Sequence, residues 1–302
     1  MREDRPSRTA TLIAAATVFL GRDPHLSGLV PAGAAAACAQ FLESVSPAAA
    51  AAVDLISRPG WRWIPRLVER ATVPGLPLHF IVRKRFIEDA VRESIADGAR
   101  QVVVVGAGFD TLVLRLGREH PGVRFVEIDH PATQDRKRAA AGSGSPYLRF
   151  IAADLSRRRL ADVLRAESTG LVESSTVFVI EGLLMYLPWD AVHQVFAALA
   201  PARPVRTRVV FTLMEPAPDG RLRFHNATLF ERWLLSLWGE PFTSALSRAE
   251  IAPFLARHGY RLMEVADSET LRARYLAPAG LGRLVLARGE LVCVAQRDIA
   301  AP

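Results

Sequence analysis

Three runs of apolar, mostly β-branched residues each end in an acid: Glu127-Ile128-Asp129, Ala153-Asp154-Leu155 and Ile180-Glu181-Gly182. Upstream of them, Val102-Val103-Val104-Val105 runs straight into Gly106-Ala107-Gly108-Phe109-Asp110-Thr111. A buried strand that breaks through glycines into a helix turns bare backbone N–H groups towards a ligand. Thr111 stands where the dinucleotide fingerprint would place its third glycine, so the turn is not a complete G-x-G-x-x-G. In an open α/β sheet a carboxylate about 20 residues beyond such a turn can accept hydrogen bonds from both ribose hydroxyls. Asp129 has that spacing, and Asp154 at the next strand end can meet a purine. Glu181 ends an apolar strand, where an uncompensated carboxylate is costly and a cationic ligand would remove the cost. Together, Gly106, Gly108, Asp129, Asp154 and Glu181 suit an adenosine-containing cofactor. Glu127, two residues before Asp129 on the same strand face, can equally hold a backbone group or an arginine. Asp110 reads as a helix cap.

The elements that must position these residues alternate. Strands are expected at 101–106, 123–128, 147–152, 176–181, 207–213, 260–266 and 290–296, with helices between most of them. This rhythm predicts an α/β fold with a mostly parallel sheet covered on both faces. The last strand, reached through the mixed segment 268–289, is expected to run antiparallel at or near the sheet edge. Ala-rich helical segments at 9–20 and 32–56, irregular or short helices over 58–78, and a longer helix over 79–96 precede the sheet. The organisation expected is an N-terminal helical cap, residues 1–78, and a core, residues 79–302, carrying an insertion at 216–247 after the fifth strand. That insertion holds His225, Trp233 and Trp238, which could form an aromatic substrate wall or simply pack a helix.

Composition narrows the function classes. The 302 residues are 50% hydrophobic, enough for a sizeable core, and carry a formal charge of +7. Only Lys84 and Lys137 are lysines; the remaining basic residues are scattered arginines, and a bias towards Arg and Ala accounts for the charge without a nucleic-acid surface. Arg157-Arg158-Arg159 is the one local basic run and is expected to open a solvated helix. Cys38 and Cys293 sit far apart in apolar settings, which points to a reducing compartment without disulfides or a cysteine-ligated metal. No signal peptide is read in the first residues and no apolar run reaches the length of a membrane span, so a cytoplasmic protein with a small-molecule substrate, and with neither nucleic acid nor membrane as partner, is expected.

The order GAGFDT, FVEIDHP, AADL and IEGLLMYLP, from Gly106 to Pro188, resembles the leucine carboxyl methyltransferase family, which includes polyketide carboxyl O-methyltransferases. The resemblance is good from about residue 79 to 190 and looser on either side. It implies a class I methyltransferase (Rossmann-like) fold and S-adenosylmethionine (SAM) as cofactor. Residue by residue, Gly106 resembles the glycine beside the methionyl part of the cofactor, Asp129 the ribose-binding acid, and Asp154 with Leu155 the pair that holds adenine. Glu181 resembles an acid near the cofactor's ammonium group. Arg83, in His79-Phe80-Ile81-Val82-Arg83-Lys84-Arg85-Phe86, resembles the arginine that pairs with the cofactor carboxylate, with Arg85 as its competitor. Family members also carry a basic residue in the first helix; the stretch Thr11–Thr17 has none, and Arg8 is the nearest replacement.

Methyl transfer to a carboxylate needs no general base, because the acceptor is already ionised at neutral pH. The sequence has no Ser/His/Asp, Cys/His or metal-ligand cluster, in keeping with that chemistry. Tyr186, five residues past Glu181, either lines the pocket near the transferred methyl group or belongs to the core. A hydroxyl acceptor would require a base, for which His225 is the candidate. An NAD-dependent oxidoreductase is the alternative from another class; Thr111, the absence of a Tyr-x-x-x-Lys pair and the AADL and IEGLLMY motifs speak against it. An RNA-binding module is the third reading and lacks a basic-aromatic surface.

Overall fold

The computed structural model describes residues 8–141, 148–166, 174–200, 205–228 and 241–298. Seven strands form one sheet: β1 (Gln101–Val105), β2 (Arg124–Asp129), β3 (Leu148–Ala152), β4 (Thr176–Ile180), β5 (Thr207–Met214), β6 (Arg261–Ala266) and β7 (Glu290–Arg297). Their order is β3-β2-β1-β4-β5-β7-β6, with β1 to β5 parallel and β7 antiparallel to both of its neighbours. The seven expected strands are all present, with ends shifted by a residue or so.

As expected, β7 runs antiparallel near the sheet edge; β6 takes the edge itself, one strand further out. The reason is burial: seven of the eight residues of β7 are buried, whereas β6 exposes Arg261, Met263 and Glu264. A strand apolar on both sides belongs in the interior, and one with charged side chains tolerates the rim.

Strand alternation divides the core. Val102 and Val104 pack on one face of the sheet with Ile81, Val82 and Leu116, while Val103 and Val105 pack on the other with Phe196, Phe211 and Phe254. Successive side chains of a strand point to opposite faces, so a run of valines feeds both layers. On the first face lie α5 (Leu76–Ala96) and α6 (Leu112–Glu119); on the second lie α8 (Leu160–Ala166), α9 (Trp189–Ala198) and α10 (Arg248–Arg257). Arg157 and Arg159 precede α8 and are exposed, as a solvated helix start requires.

The N-terminal region forms α1 (Arg8–Gly21), α2 (Ala34–Val45), α3 (Pro47–Ile56) and α4 (Trp63–Ala71). The alanine-rich run expected over 32–56 is thus two helices. Ser46 breaks it: its hydroxyl accepts the Ala49 N–H at 3.2 Å, and Pro47 follows at the first helical position, where no N–H is needed. Helices α1 and α2 seat Ala14, Val18, Cys38, Phe41 and Leu42 around Phe109, so the N-terminal helices rest directly on the glycine turn. Trp233 and Trp238 lie outside the described residues. No helix among the described residues is long and apolar enough to cross a membrane.

Candidate active site

The strand order reverses between β1 and β4, which pair directly through Val104 and Val179. Ligands of open α/β sheets bind in the crevice beyond the carboxyl ends at such a reversal. Gly106 leaves β1 with φ +70°, Gly108 follows at +52°, and Gly182 leaves β4 at +63°. A side chain at Gly106 would meet Leu183 at 3.1 Å, and one at Gly108 would meet Ala10 of α1 at the same distance. Both glycines are therefore needed for backbone shape and for close packing.

Asp129 ends β2 beside this turn. Its Oδ2 accepts the Gly108 N–H at 2.6 Å and its Oδ1 accepts the His130 N–H at 2.7 Å. Burial raises its pKa, and those two N–H groups offset part of the effect. Asp154, past β3, is more open: its Oδ1 accepts from the backbone and hydroxyl of Ser156 at 2.9 and 2.6 Å, and the Ser156 hydroxyl holds the carboxyl below its ordinary range. Leu155 is half-buried against the β3–α8 side of the core.

Glu181 joins a chain of buried charges. Arg83 of α5 donates Nε and Nη2 to Glu181 Oε1 at 3.0 and 2.6 Å, and Nη1 to both oxygens of Glu290 at 2.8 Å. His79, one turn earlier on α5, donates Nε2–H to Glu290 at 2.9 Å. Lys84 reaches Glu181 Oε2 at 3.1 Å and also pairs with Asp110. Burial works against each of these charges, yet the partners win: Arg83 and then His79 hold Glu290 down to about 2, and Lys84 holds Asp110 below the usual carboxylate range. Arg83 is itself raised by Glu290 and Glu181 against its burial. Arg85 is turned away, hydrogen-bonding the Gly28 carbonyl at 3.3 Å and lying over Tyr275. Of the two arginines weighed from sequence, Arg83 is the one brought to Glu181.

A second buried pair lies behind β2. Lys137 of α7 (Pro131–Ala141) donates to Glu127 Oε1 at 2.5 Å, while Glu127 Oε2 and Gln134 Oε1 have no hydrogen-bond partner among the described residues. Burial pushes Glu127 up to about 7; Lys137 opposes the shift, and Asp110 and Asp129 add to it. Around the turn, among the described residues, the three cations Arg83, Lys84 and Lys137 thus face five acidic side chains, Asp110, Glu127, Asp129, Glu181 and Glu290, of which Glu127 is partly protonated at neutral pH. Such an excess favours a cationic ligand. Both cysteines are buried: Cys38 lies against the turn, with Sγ 3.9 Å from the Phe109 carbonyl, and Cys293 is on β7; burial pushes Cys38 up to about 11 and Cys293 to about 12.

Tyr186 and His225 lie on the segments that follow β4 and β5. Tyr186 packs against Phe242 with ring centroids 5.5 Å apart, in a cluster with Met185, Met214 and Phe224 beyond β4 and β5. His225 donates Nε2–H to the Glu215 carbonyl at 3.0 Å, and its backbone N–H reaches the Arg288 carbonyl at 2.7 Å. It lies against Gly289, whose φ is +103° and where any Cβ would strike the imidazole. Its Nε2 proton is engaged in joining the segment after β5 to the one before β7.

His79, Lys84 and Glu290 were not singled out as site residues from the sequence. A signal did exist: His79 interrupts an apolar run and Glu290 opens one, and a polar group buried in such a run must find a partner.

The leucine carboxyl methyltransferase family matches residues 37–200, more than half of the chain. A Streptomyces avermitilis protein, provisionally named an S-adenosyl-L-methionine-dependent methyltransferase, is 30% identical over 206 residues, 65% of this chain and just under two thirds (66%) of its own length. A Mycolicibacterium smegmatis protein with the same provisional name is 29% identical over 232 residues, covering 70% of this chain and 73% of its own. Among solved structures, a DUF574 family protein from Streptomyces avermitilis superposes with a TM-score of 0.57 at 17% identity, over 87% of this chain and 97% of that one. A Thermobifida fusca protein, provisionally titled a methyltransferase, gives 0.53 at 17% identity over 91% and 98%. These two likenesses concern the fold, a Rossmann-like methyltransferase sheet. With the glycine turn, the acids at three successive strand ends and a match of this extent, the chain belongs to the leucine carboxyl methyltransferase family.

Proposed function

We propose that this chain is a SAM-dependent O-methyltransferase that esterifies a carboxylate of a small hydrophobic acid, in the biosynthesis of a natural product. The observation that carries the reading is the surplus of carboxylates around a glycine turn at the sheet's reversal point, a setting for a ligand that bears both a sulfonium and an ammonium group. When bound, that cofactor supplies an electrophilic methyl group. Asp129 would hold the ribose, Asp154 and Leu155 the adenine, Gly106 and Gly108 the methionyl part, and Glu181 the ammonium. Arg83, held between Glu181 and Glu290, sets the position of Glu181, and Arg83 and Lys84 would be the cations nearest the cofactor carboxylate.

The acceptor would lie against Tyr186 and the apolar cluster that includes Met185, Met214, Phe224 and Phe242. In this reading residues 1–78 and the insertion 216–247 form the substrate cap, and their work is to align oxygen, methyl and sulfur and to exclude water. A carboxylate acceptor is favoured over a hydroxyl because the chain belongs to the leucine carboxyl methyltransferase family. The Nε2–H of His225 is given to the Glu215 carbonyl, which leaves Nδ1 as its basic nitrogen, so His225 stays the candidate base if the acceptor is a hydroxyl.

Calorimetric titration with SAM, S-adenosylhomocysteine and NAD tests the cofactor; saturable binding of NAD alone would overturn the reading. For the acceptor, the rate at saturating substrate should be nearly flat from about pH 6 to about pH 9, since an acid with a pKa of about 4 is ionised throughout. His225→Ala should leave that rate within a few-fold. A steep pH dependence abolished by His225→Ala, with a loss of about 10²–10⁴-fold, would assign a hydroxyl acceptor instead. Mild alkali distinguishes the products, because it cleaves a methyl ester and spares a methyl ether.

A further inference from the structure

Helix α4 is unlike the other helices of the N-terminal region. None of its nine residues is buried. Trp63 is 59% exposed, Leu67 57% and Val68 51%, and Trp61 just before the helix is 46% exposed. At 100° per residue, Arg66, Arg70, Trp63, Leu67 and Ala71 follow one another around a single arc and are all exposed; half-buried Ile64 comes next, and exposed Val68 lies beyond it. Pro65 and Glu69 make up the remainder and are half-buried.

The helix is firmly mounted on that inner side. Glu69 accepts the Gly75 N–H at 2.7 Å, Arg62 donates to the carbonyls of Ser57 and Arg22 at 2.8 and 2.6 Å, and the Thr228 N–H reaches the Thr72 carbonyl at 2.8 Å. The apolar arc is therefore presented outward by a fixed helix.

We propose that this face of α4, with Trp61, is a peripheral docking surface for an anionic lipid membrane. Exposed Arg58, Arg66 and Arg70 flank the apolar side chains, a pattern complementary to acidic headgroups above an acyl layer, where arginine stems reach up past buried tryptophan and leucine. A second copy of the chain is a poorer occupant: a two-fold pairing would set these arginines against themselves, and half-exposed faces of four side chains fall well short of the roughly 1,200 Å² of a stable interface. The surface is also a ridge with no groove, suited to a soft layer. The sequence expectation of no membrane partner rested on the absence of a spanning segment, and a helix lying on the surface needs none. The proposal is independent of the methyl-transfer reading.

Co-sedimentation of the full chain with vesicles tests it. Binding is expected to vesicles of mixed phosphatidylcholine and phosphatidylglycerol, to weaken with added salt, and to be absent with phosphatidylcholine alone. The charge-preserving double variant Trp63→Ser/Leu67→Ser should lower partitioning by at least about tenfold with an unchanged thermal transition; should that variant not fold, Leu67→Ser alone is read in the same way. Arg66→Gln/Arg70→Gln should reduce both binding and its salt dependence. No sedimentation with the anionic vesicles would overturn the proposal. So would binding lost with the arginines but untouched by the apolar substitutions, which is general attraction to a basic protein. A dimer in sedimentation equilibrium that Leu67→Ser dissociates, without vesicle binding, would assign the face to a second copy.

Discussion

Glu290 and Glu127 are comparable in burial, sit on strands of the same sheet and each face a basic side chain, yet their acidities move in opposite directions. Glu290 receives two hydrogen bonds from one Arg83 nitrogen and one from His79, and stays ionised down to about pH 2. Glu127 receives a single bond from Lys137, keeps one oxygen without a partner among the described residues, and titrates at about 7. Burial alone does not decide the charge state. What decides it is how many donors reach the carboxylate: Arg83 Nη1 reaches both oxygens of Glu290 and His79 adds a third bond, whereas Glu127 has Lys137 on one oxygen only. The first cluster is a fixed scaffold for Glu181. The second is a soft spot behind Asp129.

Removing the cation of the fixed cluster should have the largest effect. Arg83→Met leaves Glu290 and Glu181 buried without their main partner and should cost about 3–5 kcal/mol of stability in urea unfolding, with cofactor binding lost as well. A loss below about 1 kcal/mol would mean that the cluster is wetter than its geometry implies. The soft cluster should reveal itself through pH. Glu127 is raised from 4.5 to about 7, so the folded state holds its proton longer than the unfolded chain does. Its contribution is fully present below 4.5 and is lost as pH rises through about 7, a change on the order of 3 kcal/mol. Glu290 acts in the opposite sense: its contribution is present above 4.5 and is lost as pH falls through about 2. Unfolding curves across that range should lose much of their slope in Glu127→Gln, and an unaltered slope would move the titration to another group. The smallest effect concerns a ligand contact. Asp129→Ala should keep the fold but weaken SAM binding by about tenfold or more, since charge-assisted hydrogen bonds are worth about 1.5–3 kcal/mol each. An unchanged dissociation constant would place the ribose elsewhere, with Glu127 next to examine.

The same contrast explains what the sequence could convey. The strands were legible because runs such as Val102–Val105 and Thr207–Leu213 need burial on both faces and end at glycines or acids. Asp129, Asp154 and Glu181 were legible as candidates because parallel connectivity brings successive strand ends to one rim. The last strand was legible as antiparallel and near the edge, but which of β6 and β7 takes the edge itself was not, since only the charges of β6 decide it. Nor was the pairing of Arg83 with Glu290, residues 207 positions apart, because no local spacing reports a long-range ion pair. His225 illustrates the limit from the other side: residue type suggested a base, whereas its hydrogen bond to Glu215 depends on how two distant segments meet.

The position of β7 also sets an order of assembly. A chain emerging from its amino end can lay down the five parallel strands while the last strand is still unmade. During that interval Arg83 has Glu181 in reach and lacks Glu290, and β5 and β6 have no neighbour to join them. Insertion of the last strand between them closes the sheet and supplies the missing carboxylate in one event. Pairing over so long a separation is slow to form, so the rim of the sheet acquires its final charge only as the fold completes. On the proposed cofactor site, refolding and the onset of cofactor affinity are expected to complete together, as this strand is inserted.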